Sequence, residues 1–386
     1  MPSARATGLT LSLCLAASQA AVLVLTPVLA VVAADLEVST ATAGQLRTAS
    51  GLAAGATALL AGLLASRVGL RELLAVGLGL LAVGSCGSAA APTFAVLLAA
   101  QAVIGLGIGL TYSAGVAAVA DWSRPVDRSR VLAVALLGPP LAWVFGMPLA
   151  GLVGDASWRL VWVVVPLASA LAALGALALR PSTRPASLRA DLRSVLGHPG
   201  VLRWSLGELL AFSAWAGALV FVGAFFVESY GVSVAATGAL LGAGALVYVP
   251  GNLLFRRWVD RHARRLLVGL ALAAAALVVA LNAIRHDRWS SLALFAALSF
   301  VAGGRTLAGS ARGLDLAPEL RLGVTGVRTA AIQLGYFLGA AVGGAALAAG
   351  GYGALGGAFA VLFAGAALTH VWPPAGDEAA VPDICR

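Results

Sequence analysis

Apolar residues fall in long runs along this chain, and polar residues fall in short breaks between them. Residues 9–34, 73–91 and 160–179 contain no charged side chain. About 20 apolar residues suffice for a helix to cross the hydrocarbon core of a bilayer. The helix is the natural spanning form because it satisfies every backbone polar group within one segment. Barrel strands would alternate over about ten residues, and no such alternation is present. The runs and their breakers predict twelve helices, over 9–33, 44–65, 72–91, 94–119, 130–152, 159–179, 204–227, 236–256, 266–284, 289–308, 323–348 and 352–371. The first run follows Arg5 and precedes small residues, as a secretory signal does. The apolar core of a signal is only ~7–15 residues, so this longer run reads as a retained helix.

Composition narrows the function classes. Of 386 residues, 60% are hydrophobic and 11% charged, whereas a soluble domain carries about 25% charged residues. No Ser/His/Asp constellation, phosphate loop or metal-ligand spacing is present, so no enzyme activity, catalytic residue, cofactor or metal is expected. Cys14 and Cys86 lie in apolar runs as packing residues and Cys385 lies in the tail. His198, His262, His286 and His370 are scattered. The net charge of +9 comes from arginine alone among the basic residues. With no soluble basic face to carry it, this charge reads as loop charge rather than a nucleic-acid surface.

The arginines test the helix count, because cytoplasmic loops collect Lys and Arg. With the N-terminus inside, Arg47, Arg159, Arg285 and Arg288 fall outside and the other 21 of the 25 basic residues fall inside. A wrong count would invert the later loops and destroy this bias. The expected protein is therefore multi-pass in the cell membrane, with both termini cytoplasmic and the lipid bilayer as its surroundings. Trp122, Trp158, Trp204, Trp258, Trp289 and Trp372 lie at predicted helix ends, where amphipathic rings are favoured. A polar, Pro-broken segment over 180–203 separates two sets of six helices. The expected units are an N-terminal bundle over 1–179, a cytoplasmic linker over 180–203, and a C-terminal bundle with a short tail over 204–386. Within the linker, Leu188, Leu192 and Val195 share one helical face, which suits either a short helix on the membrane surface or a solvated connection.

The halves repeat. SRVGLR, residues 66–71, follows helix 2, and DRHARR, residues 260–265, follows helix 8. Arg67 corresponds to Arg261 and Arg71 to Arg265, at an offset close to half the chain length. GLLASRVGLRELL, residues 62–74, resembles the signature of the major facilitator superfamily between helices 2 and 3. Gly62, Ala65, Arg67, Gly69 and Arg71 fit it, while Ser66 replaces the usual Asp and Leu70 a usual basic residue. DRHARR is similar to the second-half copy and keeps the acid as Asp260. The resemblance implies an all-α membrane protein of twelve transmembrane helices in two pseudo-symmetric six-helix bundles. It also implies that Gly62, Arg67, Gly69, Arg71, Asp260, Arg261 and Arg265 belong to an inner gate; the alternative is that these arginines only set topology. Helix 5 carries Gly138, Pro139, Gly146, Pro148 and Gly151, followed by Trp158 and Arg159. This resembles the drug and sugar efflux antiporters of that superfamily. The alternative is ordinary close packing of a Gly-rich helix.

A polar residue at membrane depth is costly and marks function by default. Glu208 is the most deeply embedded acid and the candidate for proton coupling; snorkelling to the inner surface near Arg203 is the alternative. Gln19 and Gln101 stand where efflux relatives often carry charge. Gln19, Tyr112, Trp143, Trp215, Tyr248, Asn252, Gln333 and Tyr336 are the candidate substrate-cavity residues. Aromatic walls with a few amides suit an uncharged or amphipathic organic molecule. The expected activity is proton-coupled export of such a small-molecule substrate by a monomer. A proton-independent facilitator or uptake carrier, or a transporter-like ligand sensor, is the alternative.

Overall fold

The computed structural model describes residues 4–180, 195, 197–316 and 321–371, and these are almost entirely helical. The first crossing is α1 (Ala4–Leu23) with α2 (Leu25–Asp35). The two are offset at Val24, because Pro27 in the first turn of α2 has no N–H to continue the ladder. Then come α3 (Thr40–Val68), α4 (Leu70–Ala89) and α5 (Phe94–Trp122). The turn between α3 and α4 is Gly69 alone, with φ of 105°, a conformation that other residues reach only with strain. The signature glycine is therefore a backbone requirement here. The fifth crossing is α6 (Arg128–Ala135) and α7 (Gly138–Ala156), interrupted just before Pro139 and Pro140. The sixth is α8 (Trp158–Trp162) and α9 (Ala168–Ala178), joined by a π turn over 163–167 that contains Pro166.

The second half begins with α10 (Pro199–Tyr230), ended by Gly231 at φ of 61°. It continues with α11 (Val234–Leu246) and α12 (Tyr248–Ala283), then α13 (Arg288–Leu316) and α14 (Arg321–Leu368). Backbone breaks divide two of these. His262 leaves helical geometry within α12, and Gly350 and Gly351 break α14. The break at His262 falls one residue before Ala263, which the repeat makes the counterpart of Gly69. Ten segments are long and apolar enough to cross a membrane, the last of them running over Gly326–Leu368. Dividing that one at its glycines and adding α3, 29 residues long, yields twelve crossings among the described residues. The expected count and fold class hold. The helices run further than the polar breaks suggested, with turns of one or two residues where loops of several were expected. The expected surface helix lies outside the described residues except for Val195, which is buried against Val201, Trp204 and Val324.

Twelve crossings put residue 4, Gly69, His262 and Leu368 at one end of the bundle, the near end. Asp35, Tyr230 and Gly350 stand at the far end. The halves meet chiefly through three pairs, α2 on α10, α3 on α14 and α7 on α11, with smaller contacts of α2 on α11, α3 on α10 and α5 on α14, while α1, α4, α6, α12 and α13 pack within their own halves. The closest approaches gather toward the far end. A side chain on Gly223 would overlap the Thr26 carbonyl, and a Cβ on Gly151 would stand 2.8 Å from the Gly238 Cα. The Ala235 N–H donates to Asp155 Oδ1 at 3.4 Å, and the Thr40 hydroxyl donates to Glu228. Backbone contact of this kind needs residues without side chains.

Replacing Gly151 by Leu should force α7 from α11. Overpacking costs about 1–3 kcal/mol, enough to shift a two-state balance about tenfold or more. Spin labels at Glu37 and His286, both exposed at the far end, should then show a longer-distance population. A distance distribution identical to the parent would mean that this contact does not hold the far end shut.

Candidate functional site

The candidate site is assembled from α10, α13 and α14. Pro199 starts α10 five residues before the expected helix, so Glu208 stands about two and a half turns inside rather than one. It is fully buried. Arg305 of α13 pairs with its Oε1 at 2.9 Å, and Arg328 of α14 pairs with its Oε2 at 3.0 Å. Both arginines also donate to backbone carbonyls, Arg305 to Gly207 at 2.9 Å and Arg328 to Thr306 at 3.1 Å. Gly309 provides room for the carboxylate, since a side chain there would overlap it. Glu208 thus does not snorkel toward Arg203. It holds three helices together.

A third arginine enters from the other half. Arg47 of α3 is buried and donates to Ser50 Oγ at 3.1 Å. Its guanidinium lies 4.7 Å from the ring centre of Tyr336 on α14. Arg328 lies over Phe212 in the same manner, at 5.6 Å. Cation–π contacts of this kind stabilise a guanidinium removed from water. Tyr112, from the first half, and Tyr248 stand within electrostatic reach of Arg328, and Tyr336 within reach of both tyrosines and of Arg47. Tyr248 also meets the Thr306 side chain and stacks on Trp215 at 6.3 Å. Trp215 in turn stacks on Phe295 at 6.4 Å.

Of the expected cavity residues, the structure brings together Tyr112, Tyr248, Tyr336 and Trp215, beside Glu208. Gln19 and Trp143 bond to one another within the first half, with the indole Nε1 donating to Gln19 Oε1 at 3.0 Å. Gln333 is buried on α14 and Asn252 is half-buried on α12. Gln101 is fully buried and donates to Ser88 Oγ at 2.9 Å, a packing contact between α5 and α4.

Several charges stand elsewhere than expected. Arg47, Arg180, Arg305 and Arg328 were assigned to loops and are instead bound inside the bundle. The bias of the remaining arginines toward one set of loops survives their removal. Arg180 donates to Thr7 Oγ1 at 3.2 Å and to Thr10 Oγ1 at 3.0 Å, fastening α1; burial lowers its pKa. Asp35 accepts from Arg159 at 2.7 Å and Trp158 at 3.0 Å, and Glu228 from Tyr352 at 2.9 Å; both acids are exposed at the far end. Trp204 is buried and donates to Gly309 O at 2.9 Å, so it is no interfacial anchor. The signal for Arg305 and Arg328 was available: both fall inside predicted helices, where charge is costly.

At the expected gate, Arg67, Arg261 and Arg265 are exposed, while Arg71 donates to Ala178 O at 3.4 Å within its own half. The side chains of Gly62, Ser66 and Asp260 lie outside those described. On the helix 5 motif, Gly138 meets the Ser12 carbonyl and Gly146 meets Leu23, both on α1, while Gly151 and Pro148 meet Gly238 and Gly242 on α11. One face of the motif packs on its own half and the other closes the far-end seam. Pro139 stands in the first turn of α7.

The sequence matches the family described as Major Facilitator Superfamily over residues 11–206 and 204–383. The chain belongs to the Major Facilitator Superfamily. It is 26% identical to the inner membrane transport protein YdhP of Escherichia coli O157:H7 over 337 residues, covering 83% of this chain and 84% of that one. A shorter match, 36% identical over 94 residues, links it to sialin of Ovis aries, spanning 24% of this chain and 19% of that protein. Its fold is similar to that of a bacterial homologue of the human lysosomal transporter Spinster, with a TM-score of 0.77 at 17% identity, over 96% of this chain and 95% of that one. The family makes the protein a multi-pass membrane transporter and not an enzyme.

Removing one partner of a buried ion pair costs about 3–5 kcal/mol. Glu208→Ala should therefore lower the melting temperature in detergent far more than Arg67→Ala, an exposed control; equal losses would mean that the triad adds no stability. His370, at the end of α14, has its pKa pushed down to about 4, first by burial and then by Arg305; Glu208 acts in the other direction, while Arg312 and Arg203 add to the lowering. Arg264 donates to its carbonyl at 2.8 Å. The unfolded imidazole takes up a proton below pH 6.5 while the folded one stays neutral, so His370 costs stability as pH falls from 6.5 toward 4. His370→Gln should flatten thermal stability across that window and leave pH 7–8 unchanged. A slope identical to the parent's would exclude the assignment.

Proposed function

We propose that this transporter exports a small amphipathic organic molecule across the cell membrane by alternating access, with protons as the coupling ion. In this reading the near end and both termini are cytoplasmic. Residues 1–179 and 204–386 rock as a monomer's two units, joined by the linker over 180–203. The observation that carries the proposal is the placement of Glu208. Its two ion pairs tie α10 to α13 and α14, and α10 and α14 are two of the three helices through which the second half meets the first. A proton on Glu208 would remove the charge that both arginines hold. The packing of α10 and α14 against the first half would then change with the protonation state. The helix 5 motif supports the efflux direction through its resemblance to efflux antiporters, and its Pro148 and Gly151 lie in the seam with α11.

The same ion pairs favour a second reading. Both carboxylate oxygens of Glu208 are taken up by arginines, and Gln19 and Gln101, where relatives often carry charge, are committed to Trp143 and Ser88. A carrier with no titrating group in its cycle would be a proton-independent facilitator.

Inverted membrane vesicles, given a mixed panel of drugs and sugars with the proton gradient present or collapsed, separate the two. Coupled export predicts accumulation that disappears with the gradient, and a Glu208→Gln variant that still exchanges substrate but no longer concentrates it. Accumulation indifferent to the gradient in the parent protein would retire the coupled reading.

A further inference from the structure

The charges around the tyrosines do not balance. Arg47, Arg305 and Arg328 stand there with Glu208 as the one acid, and every other acid among the described residues stands at a helix end. Two positive charges are left over at a depth where an uncompensated charge is expensive. Arg305 is held by Glu208 and the Gly207 carbonyl, whereas Arg47 has no acid partner among the described residues; the buried Nε of each has no hydrogen-bond partner. Arg328 is the most accessible of the pair partners, with its side chain 18% exposed. Arg328 and Arg47 each have a guanidinium face against an aromatic ring, so what each offers a ligand is its planar N–H edge. That edge suits a carboxylate better than any neutral group.

Arg47 lies against Tyr336, eight residues beyond Arg328 on α14, which separates the two arginines by about 12 Å along the helix. Tyr112 and Tyr248 stand within electrostatic reach of Arg328 and of Tyr336, the ring on which Arg47 rests. This spacing fits one small organic molecule, with an acidic group at one end and a stackable or hydroxyl-bearing body.

We propose, on the strength of the transport reading above, that the substrate is an organic anion whose carboxylate takes the place of Glu208 on Arg328, with Arg47 contributed from the opposite half. The step balances simply. Glu208 Oε2 gives up its ion pair with Arg328 while Oε1 keeps the one with Arg305, and the substrate carboxylate forms the ion pair that Oε2 lost. A proton taken up by Glu208 belongs to the substrate-free return, because export against inward proton flow needs proton and substrate to occupy the site in turn. The expectation of an uncharged lining came from counting these arginines as loop residues.

The full chain reconstituted in liposomes tests this directly. The vesicles are given the small-molecule fraction of a bacterial lysate, and the solutes that accumulate beyond protein-free vesicles are identified by mass. The expected result is enrichment of carboxylates. Enrichment confined to neutral or cationic solutes would overturn the inference and leave the transport reading standing. No enrichment at all would sink the transport reading, and this inference with it.

For the enriched carboxylate, Arg328→Gln should weaken apparent affinity by about tenfold or more, in line with loss of a charge-assisted contact. Glu208→Gln should strengthen binding, because the internal competitor is gone. A merely structural Glu208 would not strengthen binding when neutralised, and a Glu208→Gln protein that binds the anion no better than the parent would count against the competition. Should Arg328→Gln fail to elute as a single species, Arg47→Gln carries the same expectation, and unchanged affinity there would remove Arg47 from the site.

Discussion

A charge withdrawn from water must be answered by another charge, and in this protein that rule acts at one place above all. Glu208 is fully enclosed, so its two arginines are required. Each comes from a different helix, so the requirement draws α10, α13 and α14 into register. The carbonyls of Gly207 and Thr306 each accept from one of the arginines, and Gly309 is bare because the carboxylate occupies the space beside it. A core of Leu, Ala and Val tolerates many packings. A buried ion triad tolerates few, and it gives the second half a point of reference that apolar contact alone lacks. Only in combination with the far-end seam does this matter for movement, since the same α10 and α14 also face the first half.

The first half is organised differently. Its embedded polar groups are amides and hydroxyls that satisfy one another locally, Gln19 with Trp143 and Gln101 with Ser88. Its charged contacts, Arg180 on α1 and Arg159 on Asp35, fasten helix ends. The two halves thus share a helix plan without sharing a polar interior. The repeat is visible in the backbone, where Gly69 and His262 interrupt the helices within one residue of equivalent points. It is not visible in the buried chemistry, where Arg47 alone brings charge from the first half to the tyrosines.

Much of this was legible in the sequence, because the bilayer imposes it on the sequence. Apolar run length sets the crossings, and Gly, Pro and His262 mark the places where helices bend or stop. Glu208 stood out because a carboxylate inside an apolar run must either snorkel to the surface or find a partner. Its partners did not, for a physical reason. An arginine some two turns from a helix end can extend to the interface or turn inward, and only the positions of neighbouring helices decide which. The rule that collects arginines in loops therefore absorbed Arg305 and Arg328. Arg47 was lost likewise, since its partner Tyr336 lies almost 300 residues away in the chain. The spatial grouping of Tyr112, Tyr248 and Tyr336 rests on the same long-range packing, although each was recognisable singly.

The far-end seam is formed largely by backbone, at Gly151 against Gly238 and Gly223 against Thr26. Backbone contact has no proton to lose and almost no charge to screen. Closure there should respond to lateral pressure and thickness of the surrounding lipid rather than to acidity or salt. The triad deeper in the bundle is instead held by formal charges enclosed away from water. One contact region of the carrier is therefore governed by the membrane around it and the other by the charges it encloses.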